Sequence, residues 1–265
     1  MLKNLFILLF LNLATYNFCF GSLYQDSSRK KALSIFQNAA IINIDYGISS
    51  PFIDLAKRYG RINGIGLGFG YKFNRNFIVN ASGSLLFSNK VRENGILDSI
   101  IGPSKELIDA QGNFAVLRLY QRGYMWHVNF GKIFPINKLE INSGLMVTAG
   151  IGFIQHKIKF QFSRTIMPQL ENNYYKGYDR LSNGILFRQF TGYHRIDPKG
   201  MLNFYAGVES ILAFTQNRRE INFDTRTKDL STKKDLLIGF KFGILIPIKG
   251  RVAGGKKGEN NTFFE

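Results

Sequence analysis

The chain has 265 residues, and its 27 glycines, 25 phenylalanines and 12 tyrosines against only 6 prolines favour a barrel of many strands over one or two soluble domains. A formal charge of +17 asks for an anionic counterpart; on an exported chain that is lipid headgroups or lipopolysaccharide phosphates, and not nucleic acid. Cys19 is the one cysteine and falls in the leader, which excludes a disulfide framework and a cysteine-based metal site.

Residues 1–21 have the three parts of a signal peptide. Lys3 supplies a charged start, 5–14 an apolar run, and Cys19-Phe20-Gly21 a small residue at −3 and −1 before Ser22. Residues 22–38 read as a periplasmic arm with a short amphipathic helix, capped by Ser27 or Ser28 and faced by Ala32, Leu33, Ile35 and Phe36. No segment holds the roughly 18 consecutive apolar residues of a transmembrane helix.

Eight stretches then alternate at period two, the mark of strands with two unlike faces. The first, 40–48, points Ile42, Ile44 and Tyr46 one way and Asn43 and Asp45 the other. The second sets Ile65, Leu67, Phe69, Tyr71 and Phe73 against Gly64, Gly66, Gly68, Gly70 and Lys72. A soluble sandwich would oppose apolar to polar; glycine and one lysine behind a wholly apolar face instead imply lipid outside and a narrow lumen inside. The third, 77–88, sends Asn80, Ser82 and Ser84 inward, and the fourth, 113–134, ends with Tyr124, Trp126, Val128 and Phe130 outward. The fifth, 139–160, puts Glu140, Asn142 and Thr148 inside. The sixth, 185–193, is ambiguous in phase. The seventh, 202–216, turns Asn203, Tyr205 and Glu209 inward. The eighth repeats the second, with Ile238, Phe240, Phe242, Ile244 and Ile246 outward and Gly239, Lys241 and Gly243 inward.

Connections 74–76, 135–138 and 195–201 are short, whereas 49–61, 89–112, 161–184 and 217–235 are long, the asymmetry of outer-membrane barrels with short periplasmic turns. The predicted fold is therefore all-β, an eight-stranded antiparallel transmembrane β-barrel over 39–248. A Gly- and Lys-rich tail, 249–265, reads as disordered and periplasmic.

This plan, the final strand GFKFGILIPI with its short polar tail, and the segments GYDRLSNG and QHKIKF resemble the small outer-membrane β-barrel proteins of Bacteroidota, the PorT-like group among them. The resemblance covers nearly all of the chain after the leader. It implies the barrel fold and, because some relatives serve secretion machinery of the type IX class, an accessory role in a secretion or assembly complex. The chain departs from the common pattern in carrying about 17 residues after the last strand, which end in Phe263-Phe264-Glu265.

Three sets of residues are candidates for function. Asp45, Lys72, Glu140, Glu209 and Lys241 should meet in a lumen just wide enough for side chains, as an ion path or, more simply, as a plug of salt bridges. In the third long loop, Tyr174, Tyr175 and Tyr178 are placed for the headgroup level, with Lys176, Asp179 and Arg180 able to order the loop. The fourth carries Arg218, Arg219, Arg226 and Lys228 for an acidic partner or lipopolysaccharide, against the plainer reading of a solvated loop. The second is apolar at Ile96, Leu97, Ile100, Ile101, Leu107 and Ile108, and should fold onto the rim or bind a protein.

No catalytic set, metal site or cofactor loop is evident; the alternating glycines at 64–70 lie inside a strand and not before a helix. The expected role is non-enzymatic, structural or interactive. The alternatives are a small passive pore and a rim hydrolase built on His156 with Ser163 and Asp179.

Overall fold

The computed structural model describes residues 38–93, 95–98, 100, 107–136, 142–162, 167, 170, 174–196 and 202–248. Residues 1–37, expected to hold a signal peptide and most of an N-terminal arm, the expected tail, Glu140, Ser163 and Ile101 lie outside the described residues.

The alternating stretches form eight strands: β1 (Ala39–Ile53), β2 (Ile62–Lys72), β3 (Phe77–Ser88), β4 (Leu117–Pro135), β5 (Gly144–Phe162), β6 (Ser182–Arg195), β7 (Phe204–Asn217) and β8 (Thr232–Ile248). Each pairs antiparallel with its sequence neighbours, and β1 closes on β8 from Ala40 opposite Ile248 to Ile53 opposite Asp235. Closure leaves no strand edge, the condition for crossing lipid with strands. The outward face is apolar at a density no soluble surface carries: Ile65, Leu67, Phe69, Leu85, Trp126, Phe130, Ile151, Ile185 and Phe240 are all more than half exposed. The chain is a transmembrane β-barrel of the outer-membrane type.

Inward faces follow a second pattern. Taken around the barrel, from the short-turn end to the long-loop end, they form a largely apolar layer, a polar middle and a second largely apolar layer. Ile41, Ile78, Met146, Phe190 and Leu245 form the lower apolar layer. Leu86, Met125, Ile154, Leu186, Ile211 and Leu237 form part of the upper one. Between them lie Asn43, Asp45, His127, Asn129, Arg188, Glu209 and Lys241, all buried. The lumen is therefore filled with more than the glycine and lysine expected from β2. The glycines matter locally: a Cβ at Gly66 would collide with the Asp45 carboxylate and the Ser84 hydroxyl, so β2 is thin where the polar layer needs room.

The structure corrects several boundaries. β1 runs past 48 to Ile53 and then into a short helix, α1 (Asp54–Arg58), and β8 begins at Thr232, inside the expected fourth loop. Polar outward residues such as Ser50 and Lys234 end the apolar alternation there before they end the hydrogen bonding. β4 starts at Leu117 and not at 113, because Phe114 pairs with Ile108 inside its own loop. β5 starts at Gly144. The phase of β6 is resolved with Leu186, Arg188 and Phe190 inward and Ile185 and Phe187 outward. The second long loop folds inward: Ile96 is buried in the upper layer, with Leu97, Ile100 and Leu107 packed against it, while Ile108 stays exposed.

Candidate functional site

Two constellations concentrate the charge. In the middle of the lumen, Glu209 accepts from Arg188 Nε at 2.5 Å and lies 2.9 Å from Lys241 Nζ, which is itself 3.4 Å from Asp45. Asp45 also accepts from Asn43 at 2.9 Å and the Tyr205 hydroxyl at 3.0 Å, and Arg188 donates to Asn129 at 3.1 Å. Two cations thus face two carboxylates, and Asp45 has two further neutral donors, the arrangement that makes buried charge tolerable. Three of the five lumen residues predicted from sequence meet here. Lys72 does not: it sits at the lower end and donates to Asn142 at 2.8 Å. Among the described residues, two voids that border this layer measure about 10 and 50 Å³, room for one or a few waters and not for a hydrated ion path.

Arg188 is the member that the sequence reading missed, because both faces of β6 are rich in apolar residues and its phase stayed open. A signal existed. An arginine facing lipid near the bilayer midplane costs about 2–4 kcal/mol, so Arg188 by itself turns its own face inward.

The second constellation ties the long loops together. Asp179 is fully buried and accepts from Arg219 Nε at 2.8 Å and Nη2 at 2.5 Å. That hydrogen bond is the main reason the Arg219 guanidinium is held above its ordinary value. Arg180, with a positive φ of 52°, reaches Asp224 at 2.5 Å and Glu93 at 3.3 Å. Glu93 also takes Arg58 of α1 at 2.8 Å, and Arg58 donates further to the Ser182 hydroxyl and the Arg180 carbonyl. Asp54 accepts from the Lys234 backbone at 3.0 Å. All four long loops are therefore cross-linked by charge-assisted bonds.

Around this network opens a cleft of about 440 Å³ lined by Arg58, Arg180, Asn217, Asn222, Thr227 and Lys228, among others. Its floor is held by Asn217 donating to Asn222 at 3.0 Å. At its margin, burial alone would raise the Asp229 carboxyl, but hydrogen bonds from Lys233 and Ser231 outweigh it and bring it down to about 2.

Several loop residues sit elsewhere than expected. Tyr178 is not at the headgroup level. It is buried edge-on against Phe223, 5.5 Å between ring centres, because the turn Tyr174–Gly177 folds inward. Tyr174 is exposed and Tyr175 and Lys176 are half-buried. Arg219 is taken up by Asp179; Arg218 donates to the neutral Asn183 amide at 2.6 Å and stays exposed, as do Arg226 and Lys228.

His156 does not sit in an open rim site. It is 2% exposed, its Nε2 lies 3.1 Å from Asp235 Oδ2, and the ring of Tyr59 meets it edge-on at 5.5 Å. Thr215 donates to the same Asp235 oxygen at 2.6 Å. Ser182, opposite His156 in register, spends its hydroxyl on the Arg180 carbonyl. The expected neighbour Asp179 instead binds Arg219, while its carbonyl receives the Ile158 N–H. Among the described residues, no hydroxyl is hydrogen-bonded to this imidazole.

No protein-family model matches the chain, and no curated protein matches it. Among solved structures it is similar to Ail, the attachment invasion locus protein of Yersinia pestis, at 13% identity and a TM-score of 0.41, covering 80% of this chain and 100% of that one. It is also similar to Neisserial surface protein A, at 12% identity and a TM-score of 0.38 over 77% and 96% of the two chains. The outer membrane protein OprG of Pseudomonas aeruginosa gives 13% identity and a TM-score of 0.33 over 79% and 96%. The fold assignment rests on the strand pairing itself.

Proposed function

We propose that this chain is a non-enzymatic outer-membrane protein whose working surface is the cross-linked assembly of its long loops, exposed to the cell exterior, and whose barrel is the anchor. One observation carries the reading: four loops are held by partly buried ion pairs around an open, polar cleft, while the lumen beneath is lined with packed side chains. Loops ordered in advance lower the entropy lost on binding, so a rigid polar cleft is suited to recognition. Its lining of amides, hydroxyls and charges of both signs fits a hydrophilic segment of a protein partner. Membership of a secretion or outer-membrane assembly complex is the form of this role that the PorT-like resemblance implies.

The test is co-purification from native membranes in gentle detergent, comparing wild type with Asp179→Ala, which unlocks loops three and four, and Thr227→Trp, which fills the cleft. A stoichiometric partner that both variants lose is expected. A monodisperse, partner-free wild-type barrel, or a partner retained by both variants, contradicts the proposal.

A further inference from the structure

The outward faces of β4 and β5 carry an arrangement that the loop assembly does not use. Above the apolar band, β4 presents Arg118, Tyr120 and Arg122, and β5 presents Gln155, Lys157, Lys159 and Gln161. That is four cations and no carboxylate. The register sets Arg122 directly opposite Lys157, and Lys159 opposite Tyr120 between the two arginines. Like charges opposed across a strand pair destabilise it unless something lies between them. Among the described residues, none of the four is within ion-pair distance of a carboxylate. The Arg122 guanidinium is nonetheless held in place: it lies 4.9 Å from the centre of the Tyr120 ring and donates to the Gln121 carbonyl at 2.8 Å.

The level of this cluster follows from strand geometry. Arg122 and Lys132 are ten residues apart on one outward face, about 34 Å along the strand at about 3.4 Å per residue. A tilt of about 35–45° reduces this to roughly 24–28 Å of height, the thickness of an apolar band. Lys132 packs over Phe77 and Phe134 at the lower border, so Arg122 stands at the upper one. Directly below the cations, Tyr124, Trp126 and Ile151 are exposed, and the Trp126 ring stacks on Phe153 with centres 6.2 Å apart. Cations above and an aromatic-aliphatic strip below, on the same two strands, match an amphiphile with an anionic head and acyl chains. A free anion would leave the strip unused.

We infer that the outer face of β4–β5 is a binding site for one phosphorylated glycolipid of the outer leaflet, with its phosphates on Arg118, Arg122, Lys157 and Lys159 and its chains along Trp126, Phe153 and Ile151. Arginine supplies paired N–H donors to a phosphate, and the lysines add point charge. The inference rests on the outer-membrane placement proposed above, so insertion is checked separately from binding.

Wild type and the variant Arg118→Gln/Arg122→Gln/Lys157→Gln/Lys159→Gln are reconstituted in phosphatidylcholine nanodiscs containing a trace of diphosphoryl lipid A or its dephosphorylated form, and bound lipid is counted by native mass spectrometry. Heat-modifiable migration of both proteins reports insertion; a wild type that fails to insert overturns the membrane placement itself, and the lipid site with it. Wild type should retain diphosphoryl lipid A at least tenfold better than the dephosphorylated lipid, and inorganic phosphate should not compete. The fourfold variant should lose the preference, and in phosphatidylcholine alone it should be at least as stable as wild type because the Arg122–Lys157 repulsion is gone. If that variant misfolds, Lys159→Gln alone should cost about fivefold, the effect of one cation at a charged membrane surface. Equal retention of both lipids by inserted wild type, no loss in the variant, or displacement by inorganic phosphate overturns the site.

Discussion

Glu209 is the residue on which the lumen turns. Among the described residues it is the carboxylate shared by Arg188 and Lys241, and without it Asp45 would be the nearest remaining buried counter-charge. Glu209→Ala should therefore cost about 3–5 kcal/mol, the range for breaking a buried pair by removing one partner. Denaturant unfolding in lipid discs measures this. Arg188→Met/Glu209→Met, which removes a cation together with the anion, should cost less than Glu209→Ala. A single substitution costing under about 1 kcal/mol would show that the layer is wet and the charges screened. Asp45, Glu209 and Lys241 were placed inward from alternation alone, since each sits on a strand whose other face is plainly apolar. Arg188 was not, because Leu186 and Phe190 beside it are inward apolar residues that mimic a lipid face.

At the scale of elements, alternation located the strands but not their ends. An apolar face stops where lipid stops, whereas the ladder of hydrogen bonds continues into the loops, as at Ile53 and Thr232. The loop assembly was the least legible part. Its bonds join Arg58, Glu93, Asp179 and Arg219, far apart in the chain, and only closure of the barrel brings these together. The fourth long loop offers a pH test. Asp229 is lowered from 3.8 to about 2, so the folded state prefers its charged form. The stability this adds is fully present above about pH 4 and is lost as pH falls through about 2. Hydrogen exchange of residues 226–234, corrected for intrinsic rates, should accelerate between pH 4 and pH 2 in wild type. The Asp229→Asn variant should already exchange at the faster rate at pH 5. A pH-independent wild-type loop would contradict the assignment.

For the whole molecule, the inward layering of the described residues leaves only small voids in the lumen, and the proposed recognition surfaces are the outer ones: the cleft between the long loops and the cationic face of β4–β5. Filled lumen and ordered loops are two parts of one arrangement, since Ile96, Tyr178 and Tyr59 pack on the same upper layer as Leu186 and Leu237. The measurement that tests this most directly is conductance of the refolded protein in a planar bilayer. A filled lumen predicts current at the level of the protein-free membrane at all voltages below bilayer breakdown, for wild type and for Thr227→Trp alike. Discrete, ion-selective openings in wild type would show that the Asp45–Glu209–Arg188–Lys241 layer is a path and not a plug, and would move the function from the loops into the lumen.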